Sequence, residues 1–197
     1  MHSFRCYLLA VLSACWISIG FGDTLRNPET LEQQLLAANP STLAAEARLR
    51  GDARRGALVF YKSAAACSKC HGSGGDVSPL GPDLARLGEV TDEHVIESLL
   101  RPSAKIREDY RTHAILLDDG SVLTGLIAKR TDQSIILRAA SDLTEETTIP
   151  AEEIVQQKTS PTSMMPTGLV ASLGELRDFY DVASYVMEVA AGGPPRA

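Results

Sequence analysis

The chain has 197 residues, with 25 acidic and 19 basic side chains and a net charge of −6. That length suits one domain, or one domain carrying an insertion. The acidic balance argues against nucleic acid, whose phosphates need a basic face. An apolar content of 44% excludes a disordered chain.

The N-terminus reads as an export signal over residues 1–22. Arg5 supplies a positive start, Cys6 to Ile19 is almost wholly apolar, and Gly20-Phe21-Gly22 resembles a cleavage site that leaves Asp23 at the mature start. Two anchored forms compete with cleavage. Leu12-Ser13-Ala14-Cys15 fits a lipobox, which would lipidate Cys15 and tether the protein. The uncleaved run could also anchor in a membrane, although it is short for a span. The expected location is periplasmic or otherwise exported, with or without an N-terminal tether. Cys6 and Cys15 fall inside the signal, so the mature chain carries Cys67 and Cys70 and no disulfide framework.

Residues 23–50 read as a linker or helical extension. Leu31, Leu35 and Leu36, then Leu43, Ala47 and Leu49, fit short amphipathic helices. Asp52 is placed to cap a helix from Ala53 to Lys62, with Gly56 and Phe60 on one face. That helix leads into Cys67-Ser68-Lys69-Cys70-His71.

Two thiols separated by two residues and followed by histidine form the attachment signature of a c-type haem. Each thiol adds to one porphyrin vinyl, and the adjacent imidazole lies over the iron as proximal ligand. A redox thiol pair has no need of the next-door histidine. A zinc site normally takes four ligands, and no second Cys or His pair follows at finger spacing. One covalent haem is the expected cofactor. Its attachment is an export-side reaction, so motif and signal support each other.

Gly72-Ser73-Gly74-Gly75 suggests backbone against a flat ligand or in left-handed turns. In Gly81-Pro82-Asp83-Leu84, the Pro82 carbonyl can accept the other ring N–H of His71, or the segment is an ordinary turn. Thr91 to Arg101 reads as a helix: Thr91 caps it, Asp92 and Glu93 suit its first turn, Val95, Ile96, Leu99 and Leu100 form its buried stripe, and Pro102 ends it.

From Arg111 to Lys158 the periodicity changes from helical to alternating. Residues 113–117 and 122–127 flank Asp118-Asp119-Gly120-Ser121 as a hairpin, 134–138 adds a third strand, and 144–149 and 154–157 a fourth and fifth. Five short strands suggest a small barrel or curled sheet. Ser172 and Glu175 then form a capping box for a last helix. Leu176, Phe179, Ala183, Val186 and Ala190 make its stripe, before a frayed Gly192-Gly193-Pro194-Pro195 tail.

The iron's other face could be taken by Met164, Met165, Met187, His94 or His113. Met187 lies in the last helix and reads as core packing. His94 reads as solvated in the first turn of a helix, and His113 as either surface or core. Met165 is assigned, with Met164 next. It sits in a polar loop that lacks a core reason for an apolar thioether, and Pro166 stiffens that loop.

These residues together resemble a class I c-type cytochrome, and more narrowly the planctomycete-type haem-binding domain. The resemblance spans about residues 51–189. It rests on Gly51-Asp52, Arg55-Gly56, Phe60, Cys67 to His71, Gly81 to Leu84 and Glu97 to Pro102, then Asp119 to Leu126, Thr148-Ile149-Pro150 and Ser163 to Leu169. It implies a mainly α cytochrome c fold over residues 51–191, interrupted by a small antiparallel β module at 111–158, so α+β overall. It implies that Met165 is the distal ligand, that the Pro82 carbonyl orients His71, and that the Gly56–Phe60 helix crosses the terminal helix near Tyr185. Phe179 to Tyr185 is longer than the usual pattern. Relatives are often fused to dehydrogenase-like or propeller domains, so a separate dehydrogenase is one expected redox partner.

The function expected is single-electron transfer between a protein donor and acceptor, not enzymatic turnover. The alternative is a haem enzyme or gas sensor with an open distal site. The β module reads as an interaction surface, a cover for the haem, or a brace for the Met165 loop.

Overall fold

The computed structural model describes residues 29–74, 80–139 and 146–192. The signal segment with Cys6 and Cys15, Asp23, Gly75, Thr144 and the tail from Gly193 lie outside the described residues. The chain is α+β, with five α-helices and a five-stranded antiparallel sheet among the described residues.

The residues read as an extension form α1 (Leu31–Ala37) and α2 (Pro40–Arg50). Thr30 and Gln33 cap α1 reciprocally, and the Asn39 carboxamide accepts the Ser41 and Thr42 amides ahead of α2. Leu35, Leu43, Ala44 and Ala47 are buried in the same core as the later helices, so this segment is part of the helical body. Leu49 is 79% exposed, off the stripe that the sequence placed it on.

Helix α3 (Ala53–Lys62) begins at Asp52, whose carboxylate accepts the Arg54 and Arg55 amides. Helix α4 (Asp92–Leu100) begins at Thr91, whose hydroxyl accepts the His94 amide at 3.2 Å. Both starts are short-range signals that the sequence carries in full.

Helix α5 (Leu176–Gly192) departs from the sequence reading in two ways. Ser172 does not cap it: that residue lies in a short 3-10 turn, Leu169–Leu173, and Gly174 at φ +80° turns the chain before Leu176. Nor does α5 bury a single stripe. Every residue from Phe179 to Met187 is buried, because α2, α3 and α4 all pack against it.

The closest approach is between α3 and α5. A Cβ on Gly56 would stand 2.0 Å from the Asp181 carbonyl oxygen and 2.7 Å from the Tyr185 Cβ. Only glycine lets the two backbones meet there. Phe60 then stacks at 5.2 Å, centroid to centroid, on Tyr185. The buried Asp181 carboxylate accepts the Asp52 amide at 2.7 Å and a two-pronged Arg55 guanidinium at 2.7 and 2.9 Å.

The sheet runs β4 (Glu146–Pro150), β3 (Ser134–Ala139), β2 (Val122–Arg130), β1 (Thr112–Leu117), β5 (Ile154–Thr159). Strands β4 and β5 are consecutive in the chain yet lie at opposite edges, joined only by the turn Ala151–Glu153. Flat, those edges would stand about 19 Å apart, whereas the chain from Pro150 to Ile154 reaches about 14 Å at most. The sheet therefore curls, and its concave side holds Ile115, Ile135, Leu137 and Ile149, with Leu123, Ile127 and Ile154 packed against them. Strand β2 carries a bulge between Ile127 and Lys129, which adds bend.

Candidate haem site

Helix α3 delivers the chain to the motif through Ala66, a non-glycine residue at φ +51°. A left-handed residue with a Cβ is strained, and such strain gathers at functional sites. Cys67–Lys69 then forms one tight 3-10 turn, with the Cys70 and His71 amides both donating to the Cys67 carbonyl, at 3.1 and 3.0 Å. Both thiols are free and half-buried. Burial pushes both above the ordinary thiol value; Lys69 pulls Cys70 part of the way back.

His71 Nδ1 lies 3.1 Å from the Pro82 carbonyl oxygen. A carbonyl only accepts, so Nδ1 carries the proton and Nε2 keeps its lone pair. Burial pulls the His71 imidazole below its usual value, against the opposing pull of the Pro82 bond. It is thus held neutral in the tautomer that presents Nε2 as a ligand.

Gly81 makes this contact possible. A Cβ there would fall 2.5 Å from the Cys70 carbonyl oxygen and 2.8 Å from both Cε1 and Nδ1 of His71. The loop 80–84 is also stitched to the residues after the motif. The Leu84 amide donates to the Gly72 carbonyl at 2.8 Å, and the Gly74 amide to Asp83 Oδ1 at 2.8 Å. Gly74 takes φ +97°, a left-handed turn of the kind the glycine run suggested. From the opposite side, the Tyr61 hydroxyl hydrogen-bonds the Ser73 hydroxyl. Tyr185 packs beside Tyr61, and burial raises its phenol.

The structure thus brings Cys67, Cys70, His71 and Pro82 together. Met165 lies in a different loop and is half-buried, as is Met164. The Met165 amide donates to Ser163 Oγ at 3.1 Å, and the Ser163 amide to Ser103 Oγ at 3.1 Å, so the loop is pinned just beyond α4. Met187 is 2% exposed in the helical core. His94 is half-buried with an enclosed Nδ1, not the solvated group the sequence suggested, because α4 turns that side inward. His113 sits on β1, with Gln157 Nε2 at 3.0 Å from its Nδ1.

The residues present fit a covalently attached haem. Two free thiols and one correctly protonated imidazole stand on a single turn, and a glycine cradle clears the imidazole's partner. Among the described residues no group of three or more His, Cys, Asp and Glu side chains gathers to hold a bare metal ion. A cleft of about 680 Å³ between the start of α4 and the end of α5 lies apart from the motif, lined by residues such as Val90, Thr91 and Ala190. Among the described residues no helix is long and apolar enough to cross a membrane. Sequence reasoning placed Ser73 and Gly81 in glycine-containing motifs without giving either a contact, and it missed Tyr61, which carried no signal.

No family model matches the chain, and no curated protein matches it.

Proposed function

We propose that this chain is an exported monohaem c-type cytochrome with a cytochrome c fold, carrying single electrons between a protein donor and acceptor. The observation that carries the reading is the His71 Nδ1–H bond to the Pro82 carbonyl, on the same turn as two free thiols. Burial raises both thiols, the opposite of what an attack-ready dithiol needs.

Cys67 and Cys70 would hold the haem through thioethers, and His71 would offer Nε2 to its iron. The Pro82 carbonyl keeps the ring oriented and makes it a stronger donor. Met165 is the proposed distal ligand, a thioether that favours the reduced state and raises the potential. When bound, the haem supplies a one-electron ferric–ferrous couple.

The test is the absorption spectrum, in both redox states, of protein exported from a host with working maturation machinery. Covalent haem should survive acid–acetone extraction, and Cys67→Ser with Cys70→Ser should abolish it. Pigment that washes out, or never forms, overturns the proposal. Met165→Ala should remove the weak far-red band of sulfur-bound ferric iron. Rapid carbon monoxide binding to the unaltered ferrous protein would favour an open distal site instead.

A further inference from the structure

Two loops meet at His71, and one side chain fastens them together. Asp83 is only 8% exposed despite its charge. Its Oδ1 accepts the Gly74 amide at 2.8 Å and the Ala85 amide at 3.0 Å. Gly74 follows His71 by three residues, and Asp83 directly follows Pro82. One oxygen therefore joins the segment leaving the imidazole to the segment carrying its hydrogen-bond acceptor. The Leu84–Gly72 backbone bond closes the same junction from beside it. Arg86 Nε stands 3.3 Å from Oδ2, an ion pair without hydrogen-bond alignment.

Burying a carboxylate is costly, and a cap on a three-residue turn does not require it. Pro82 has no N–H with which to anchor itself. The place of its carbonyl is set by its neighbours, Gly81 packed on the Cys70 carbonyl and Asp83 tied to Gly74.

We propose that Asp83 is a positioning residue that holds the Pro82 carbonyl on His71 Nδ1–H and thereby sets the donor strength of the imidazole. This rests on the haem reading above. A firm bond places more electron density on the ring and favours ferric iron; a slack one raises the potential.

The test uses exported, haem-loaded protein and three variants. It reads hydrogen–deuterium exchange of His71 Nδ1–H by NMR, together with the reduction potential. Asp83→Ala removes the acceptor, and Asp83→Glu keeps the charge but displaces the oxygen. Both should exchange up to about tenfold faster, the scale of losing one hydrogen bond. Asp83→Glu should also raise the potential with no loss of charge. Asp83→Asn keeps an acceptor oxygen in place and should exchange at the unaltered rate. Unaltered exchange in Asp83→Ala and Asp83→Glu overturns the proposal, as does Asp83→Asn exchanging as fast as Asp83→Glu. Should Asp83→Ala fail to mature, the Glu and Asn variants decide alone. Unaltered protein that lacks covalent haem sinks the haem reading instead, before any variant is compared.

Discussion

The helical body and the β module bury their side chains by different rules. In the helical body, backbones approach until glycine alone fits, as at Gly56 on Asp181. Side chains from α1 to α5 share one core. In the module, alternation along curled strands gathers four aliphatic residues and their neighbours into a separate core. Among the described residues, the buried polar ones are Ser73, Asp83, Asp181 and Ser184 in the helical body and only Thr112 in the module. Buried polar groups cost stability unless they are bonded. Ser73 and Asp83 fasten the loops beside the motif and Asp181 ties α5 to Asp52 and Arg55, whereas the described part of the module nearly dispenses with such groups.

The sharpest way to break this contrast is Gly56→Val. The new side chain has no space against Asp181, and overpacking there should cost about 3 kcal/mol or more. Urea unfolding followed by helical circular dichroism measures the loss; a change below about 1 kcal/mol would mean α3 and α5 are not in this contact.

Leu137→Ala comes next, removing a side chain that is 1% exposed in the module core. It should cost about 2–5 kcal/mol. Amide exchange should accelerate in β1 to β5 and stay unchanged in α3 and α5. Acceleration of both in step would show that the two regions unfold as one unit.

A third effect is confined to the module and depends on pH. Burial, then the Arg130 and Arg111 charges, lower His113, against the opposing pull of Glu108. Its neutral form is favoured in the folded state. Module stability should therefore be full above the ordinary histidine value near 6.5 and fall as pH drops below it. Strand amide protection, taken relative to the intrinsic exchange rate at pH 7.5 and 5.5, reads this, and His113→Gln should flatten the response. A slope that persists in His113→Gln would refute the assignment.

The smallest effect lies in the helical body, where Arg48 on α2 pairs with Asp92 on α4, at 2.7 Å, and with Glu188 on α5. The pair is partly exposed, so Arg48→Met should cost about 0.5–1 kcal/mol. Arg48 holds the Asp92 carboxyl below its usual value. The cost should thus be present above the ordinary carboxylate range near 3.9 and vanish as pH falls through the lowered value. A cost that persists in acid would point to lost packing of the Arg48 stem, not lost charge.

Reading the chain in order recovered the helix starts at Asp52 and Thr91 and the hairpin at Asp119-Gly120. Each is a contact between residues two or three apart. The same reasoning misplaced Leu49 and Ser172, since it could not see which side α5 approaches or that Gly174 turns the chain. Asp83 was legible only as part of a turn motif; that its carboxylate reaches Gly74 across nine residues was not. The all-round burial of α5 is a property of three neighbours, and no stripe within one helix announces it.

The order of Cys67, Cys70 and His71 carries by itself the signature on which the haem proposal rests, because thioether spacing and an adjacent ligand are matters of covalent reach. Whether the imidazole carries its proton on Nδ1, how deeply the thiols are buried, and which carboxylate ties the two loops depended on the fold. Those properties belong to pairs such as His71 with Pro82 and Gly56 with Asp181. Their separations in the chain leave no local trace, and only packing brings them within hydrogen-bond or van der Waals range.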